Sequence, residues 1–239
     1  KNLRRRAKMA TSGSKDFQLD VGEYIEEAFE RCGLELRTGY DLQSARRSLN
    51  LMLAEWANRG LNQWTVAQKT IDMVKDTTEY TIDSTNATAT IDVLDVFIRE
   101  TITNQVTDVP LSRLSRAEYA HISTKSTTGK PNQFFINKKL SPTVTVWPAP
   151  DKNSTYVLHL NVLSRMEDAD EGTNDVQVPF RFYPCLSAGL AYYIALKRAP
   201  EKVQLLKSLY EEEFSRAMSQ DEERASFRVA PDLRNYNIA

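Results

Sequence analysis

The chain has little of what most enzyme chemistry needs. Histidine occurs only twice, as His121 and His159, and cysteine only twice, as Cys32 and Cys185. Neither histidine has a second His or Cys at metal-ligand spacing, so ordinary surface or sheet roles are expected for both. Each cysteine falls on the apolar face of a predicted helix, which favours core packing over a disulfide scaffold or a zinc site. The eight glycines are also few, and none belongs to a G-x-G-x-x-G or Walker loop, which argues against a nucleotide enzyme. No apolar run reaches the roughly 18 residues of a membrane span. Charge of one sign is missing too. With 31 basic residues against 32 acidic ones there is no whole-molecule field to draw in nucleic acid or an anionic membrane, so membrane binding is not expected and any nucleic-acid contact must be local. The carboxylates include no poised pair, and no nucleophile stands beside a base; the reading is a non-enzyme without cofactor or metal.

What is present is enough apolar sequence for a real core: 239 residues, 41% hydrophobic, amount to one large domain or two small ones. The basic start (Lys1, Arg4, Arg5, Arg6, Lys8) lacks the apolar stretch of a secretory signal, so synthesis and retention in the cytoplasm are expected. Residues 1–19 read as a flexible arm, with leader sequence an alternative for 1–8. From Val21, apolar positions at Tyr24, Ile25, Ala28, Phe29 and Cys32 trace one helix face. Asp20 and Glu23 form a capping-box pattern at its start, and Gly33 provides a left-handed exit. A second helix, from about Asp41 to just before Gly60, carries Leu42, Ala45, Leu49, Met52, Leu53 and Trp56. The two make an antiparallel hairpin.

After Trp64 the pattern turns to short runs rich in threonine and β-branched residues, with strands expected at 64–74, 78–82, 91–102, 106–110, 132–137, 143–148 and 155–165. A capping box from Ser115 to Glu118 predicts a short helix over 115–122. The pattern returns to helix near Pro179, restarts at Pro184 and again at Pro200, with Val203, Leu206, Tyr210, Phe214 and Ala217 alternating by three and four. The expected class is therefore α+β: a discontinuous α-helical bundle (20–62 plus 177–225), an inserted antiparallel β-sandwich or barrel (63–176) and an extended C-terminal tail (226–239). "DEGTND" from Asp170 to Asp175 lacks the Glu that closes a calcium loop and reads as a solvated turn. Glu211, Glu212, Glu213, Asp221, Glu222 and Glu223 suggest an acidic stripe, although a solvated helix face interleaved with Lys207, Arg216 and Arg224 accounts for the same pattern.

Three stretches go further as a set: "YDLQSARRSLNLMLAEWANRGLNQWTV" (40–66), "GKPNQFFIN" with "TVTVWPAPD" (129–151), and "VPFRFYPCLSAGLAYYIALKRAPEKVQLLKSLYEEEFSRAM" (178–218). In this order the chain resembles the head-to-tail adaptor (connector) proteins of tailed bacteriophages, the group that includes tail tubular protein A of short-tailed phages. The resemblance implies a virion protein, made in the host cytoplasm, that forms a ring of twelve copies beneath the portal, meets the tail nozzle or other tail proteins, and continues the channel for genomic DNA without sequence specificity. It also suggests roles for particular residues. Phe180, Phe182, Tyr192 and Tyr193 would anchor the helical core or the subunit seams, the acidic stripe would line the channel, and the tail would grip the portal through Phe227, Val229, Leu233, Tyr236 and Ile238, a frayed terminus being the alternative. A monomeric assembly chaperone or tail-recruiting binding module is the rival reading.

Overall fold

A computed structural model of the chain describes residues 13–37, 39–59, 63–83, 89–102, 105–153 and 155–221. Asp20 starts the first helix as its neighbours require: its carboxylate accepts from the Glu23 N–H at 2.7 Å, and the Glu23 carboxylate accepts from the Asp20 N–H at 3.1 Å. The helix, α1, runs Val21–Arg31. It ends where Gly33 takes a φ of 68° and Leu34 donates back to the Phe29 carbonyl at 2.9 Å, a left-handed exit that only glycine makes without strain. Helix α2 spans Gly39–Arg59, two residues longer at its start than the pattern predicts.

The β region contains β1 (Val66–Asp72), β2 (Glu79–Thr81), β3 (Thr90–Ile102), β4 (Gln105–Pro110), β5 (Ser112–Leu114), β6 (Thr128–Gly129), β7 (Gln133–Asn137), β8 (Thr143–Trp147), β9 (Ala149–Pro150) and β10 (Tyr156–Ser164). One sheet has the order β1-β10-β3-β4 and another β2-β8-β7-β5. Alternate residues of both face a shared apolar cluster: Val96, Ile98, Leu158, Leu160 and Val162 from the first, Tyr80, Phe134, Ile136, Val144 and Val146 from the second. This is a sandwich. Helix α3 (Arg116–His121) carries the expected Ser115–Glu118 box. Two pairings, β5 with β7 and β6 with β9, are parallel where an antiparallel module was expected. β5, β6 and β9 escape sequence reading because two or three residues are too few to show a period.

Beyond a single 3-10 turn at Phe180–Phe182, α4 runs Tyr183–Arg198 with Pro184 inside its first turn. The α-helix thus starts within one residue of Pro184, as expected, since a first-turn N–H needs no partner. After a 3-10 turn at Pro200–Lys202, α5 spans Val203–Asp221. The stretch 178–218 joins an apolar helix to a charged one, and the contrast follows from position. Helix α4 packs against α1, α2 and α5 at once, and buries Cys185, Leu186, Ser187, Ala188, Gly189, Leu190, Ala191, Ile194 and Ala195. It is therefore apolar nearly all round, whereas α5 buries one face only, with Leu206, Tyr210, Phe214, Ala217 and Asp221. Both cysteines are buried in this cluster. Burial pushes both thiols up, Cys185 the further.

Residues from the expected 63–176 β segment pack with the helices. Trp64 sits at 4.6 Å from the Phe182 ring and donates its indole N–H to the Gln177 carbonyl at 3.1 Å, so it belongs to the helical cluster. Met166 and Ala169 pack there too. The 170–175 turn keeps its side chains exposed, as expected, but its backbone is docked. The Val21 N–H donates to the Asn174 carbonyl at 3.0 Å and the Gly22 N–H to the Gly172 carbonyl at 2.7 Å, while an Arg46 guanidinium N–H reaches the Asp170 carbonyl. The first amides of α1 lack intrahelical partners, and this loop supplies them.

Candidate functional site

The charged side of α5 is the candidate surface, and it is bound into the bundle by one arginine. Arg59, at the end of α2, donates through its two terminal nitrogens to Glu211 at 2.7 and 2.8 Å and through Nε to Glu55 at 2.6 Å. Its guanidinium lies over the Phe214 ring at 4.7 Å and the Tyr210 ring at 5.0 Å. A fork that is planar, charged and stacked suits this place better than a lysine would. Behind it, the Tyr210 hydroxyl donates to Glu55 at 2.9 Å and accepts from the Trp56 indole N–H at 2.7 Å. Burial pushes the Tyr210 phenol well above its usual range, so it stays protonated as the link between tryptophan and carboxylate. The Arg59 hydrogen bonds hold the Glu211 carboxyl below its ordinary value, against a smaller opposing effect of burial.

This cross-link predicts a pH effect with a definite sign. Because the folded Glu211 carboxyl is depressed, its stabilisation is present above the unfolded value of about 4.3 and is lost as pH falls through the lower folded value. The side chain is 46% exposed, so solvent screening limits the effect to ~0.5 kcal/mol. Urea titrations of Glu211→Gln should show that loss at neutral pH and a shallower decline in acid than the parent. Parallel acid profiles would mean that the pair contributes nothing.

The other acidic candidates behave differently from one another. Glu212 and Glu213 both bond Arg216, the second at 3.1 Å. Asp221 does not share the solvent-facing stripe. Its side chain is 1% exposed and is ion-paired with Arg181, because the helix turns that position toward the 3-10 turn before α4. Glu222, Glu223 and the tail candidates Phe227, Val229, Leu233, Tyr236 and Ile238 lie outside the described residues. Of the four aromatic anchors, Phe182 is fully buried, Tyr192 and Tyr193 are half-buried, and Phe180 is 76% exposed, so Phe180 is free for a partner and Phe182 is not.

Sequence reading missed a second feature of the same helix. Leu205 and Leu209, one turn apart on α5, and Leu196 near the end of α4 are 62%, 44% and 52% exposed. They fall off the predicted core face, and that was the available signal: leucines left over at i, i+4 spacing. Ile102 and Val106 are exposed at the end of the β3–β4 pair where the chain passes from one strand to the other. Of the histidines, His121 is exposed, while His159 is buried in β10 and stacked on Phe97 at 4.7 Å. Burial, helped by nearby Arg99, holds the His159 imidazole below its usual value.

Helix α5 thus carries both salt-linked carboxylates and exposed leucines. No curated protein matches the chain. A sequence model of the SU10 adaptor protein matches residues 16–233, which takes in both helix pairs and the sandwich between them, and the chain belongs to the SU10 adaptor protein family.

Proposed function

We propose that the protein is the head-to-tail adaptor of a tailed phage, similar in role to tail tubular protein A, with twelve copies joined in a ring beneath the portal that continues the DNA channel toward the tail nozzle. The observation that carries this reading is the family match over nearly the whole described chain. Membership implies a structural phage protein, a virion component in contact with head and tail proteins rather than a catalyst. The surface chemistry fits. Exposed Leu196, Leu205 and Leu209 suit a seam between copies, where a ring subunit must bury apolar surface twice. With Glu55, the glutamates 211–213 outnumber by one the cations beside them, Arg59, Lys207 and Arg216, so a channel lined by this surface carries a modest negative excess in each copy. That excess repels phosphate and lets DNA pass, since every neutralised phosphate would add salt-dependent grip. The 226–239 tail, with Phe227, Val229, Leu233, Tyr236 and Ile238, is assigned to the portal as an added strand.

Light scattering of the purified protein alone and with portal rings, together with its detection in purified particles, tests this. A ring-sized complex on the portal and presence in particles are expected. Deleting residues 228–239 should leave the melting temperature nearly unchanged and sharply weaken portal attachment. A monomer that ignores portal rings and is absent from particles would overturn the reading.

A further inference from the structure

A groove of about 480 Å³ runs along the outer side of α1, far in sequence from the leucines of α5. Its floor is apolar, made by Phe17, Leu19, Tyr183 and Pro184. Its rim is acidic on balance, with Glu23, Glu26, Glu27 and Glu30 against the single cation Arg31. Glu23 is engaged in the capping box and Glu27 in a 2.7 Å pair with Arg31, whereas Glu26 and Glu30 have no ion pair among the described residues. Phe17 is 73% exposed, an unusual state for a phenylalanine beside a preformed hollow. In edge contact with the floor, the Tyr24 ring lies 6.0 Å from Tyr183, and its buried hydroxyl has no partner among the described residues.

We infer that this groove is the docking site for residues 1–12 of the same chain, "KNLRRRAKMATS". Charge favours it, since that segment carries Lys1, Arg4, Arg5, Arg6 and Lys8 and no acid. Pattern favours it as well. Bound as an extended strand, the segment presents Arg4, Arg6 and Lys8 to one side and Leu3, Ala7 and Met9, with Arg5 among them, to the other. The three basic groups then cover about 13 Å, against about 10 Å of helix rise from Glu23 to Glu30. The alternate apolar groups meet the floor. Connection favours it too. Gly13, where the segment joins the described chain, takes a left-handed φ of 74°, and Phe17 and Leu19 of the groove lie only four and six residues further on.

The test uses the full chain with p-benzoylphenylalanine at Leu3, irradiated as a mixture of isotopically light and heavy copies and mapped by mass spectrometry. Cross-links within one chain to residues 17–31 or 183–187 are expected. Their yield should fall about five-fold or more at 1 M salt, where the screening length is near 3 Å. The same fall is expected in Glu26→Gln/Glu30→Gln, whose exposed positions leave the melting temperature unchanged. Cross-links scattered over the surface, confined to pairs of different copies, or indifferent to salt and to the double substitution would overturn the inference. This site is independent of the ring, so a failed portal experiment leaves it standing.

Discussion

Trp56→Ala is expected to cost about 3–5 kcal/mol of folding stability, the usual range for emptying a large aromatic site. Trp56 is fully buried, with the rings of Phe182 and Phe214 at 5.5 and 5.7 Å, and its indole N–H is a donor to Tyr210. Alanine removes the packing and the donor together. Trp56→Phe separates them: most of the volume stays, and the loss should fall to ~1–2 kcal/mol, the scale of one buried hydrogen bond and a small cavity. Urea unfolding of both variants, followed by circular dichroism, gives the two numbers. An unchanged midpoint in a variant that fails to assemble would move Trp56 from the core to an interface.

Gly189→Leu should be about as damaging, at ~3 kcal/mol or more, and Gly189→Ala already unfavourable by ~1–2 kcal/mol. Helix propensity alone predicts the opposite sign for alanine, a gain of about 1 kcal/mol. Packing decides. A methyl group at Gly189 would lie 2.5 Å from the Met52 sulfur and 2.8 and 2.9 Å from two carbons of the Tyr210 ring. The thioether can swing away. The tyrosine has less freedom, because its hydroxyl is tied to Trp56 and Glu55. Shortening the methionine should therefore recover only part of the loss: in a double-mutant cycle, Met52→Ala with Gly189→Ala should show a favourable coupling. If Gly189→Ala melted higher than the parent, the close approach of α4 to α5 would not be the reason for glycine there.

Much of this fold was legible in the sequence because the local signals agreed with the global arrangement. Both capping boxes, the glycine exit of α1 and the period of α2 and α5 are short-range chemistry, and each shows in the structure. The long strands β3 and β10 were readable for the same reason, since thirteen and nine residues display alternation. What was not legible depends on meetings across the chain. Nothing in the order of residues tells that the 170–175 turn would supply carbonyls to α1, or that Trp64 would leave the strands for the helices. The candidate surface divides likewise. The Glu55–Arg59 pair is an i, i+4 contact and could be read in advance, whereas its extension to Glu211 bridges 152 residues and could not. Asp221 shows the cost of reading charge as exposure. A carboxylate at the core edge of a helix is invisible to composition when its cation, Arg181, comes from another element.

The way the sandwich is attached has a mechanical consequence. The outgoing connection is pinned by Trp64, and the returning one by Asn50, whose side chain accepts from the Ala169 N–H at 2.8 Å and donates to its carbonyl at 3.4 Å. The strands they lead into, β1 and β10, are direct neighbours, paired from Val66 with Leu163 through Asp72 with Val157. A pull or twist on the sheets therefore reaches the helices along two tethers side by side. Swivelling about one bond is blocked by the other tether. Traction along the strands pulls β1 and β10 in the same direction and loads the neighbouring β10–β3 ladder in shear, where its bonds resist together, instead of opening them one at a time.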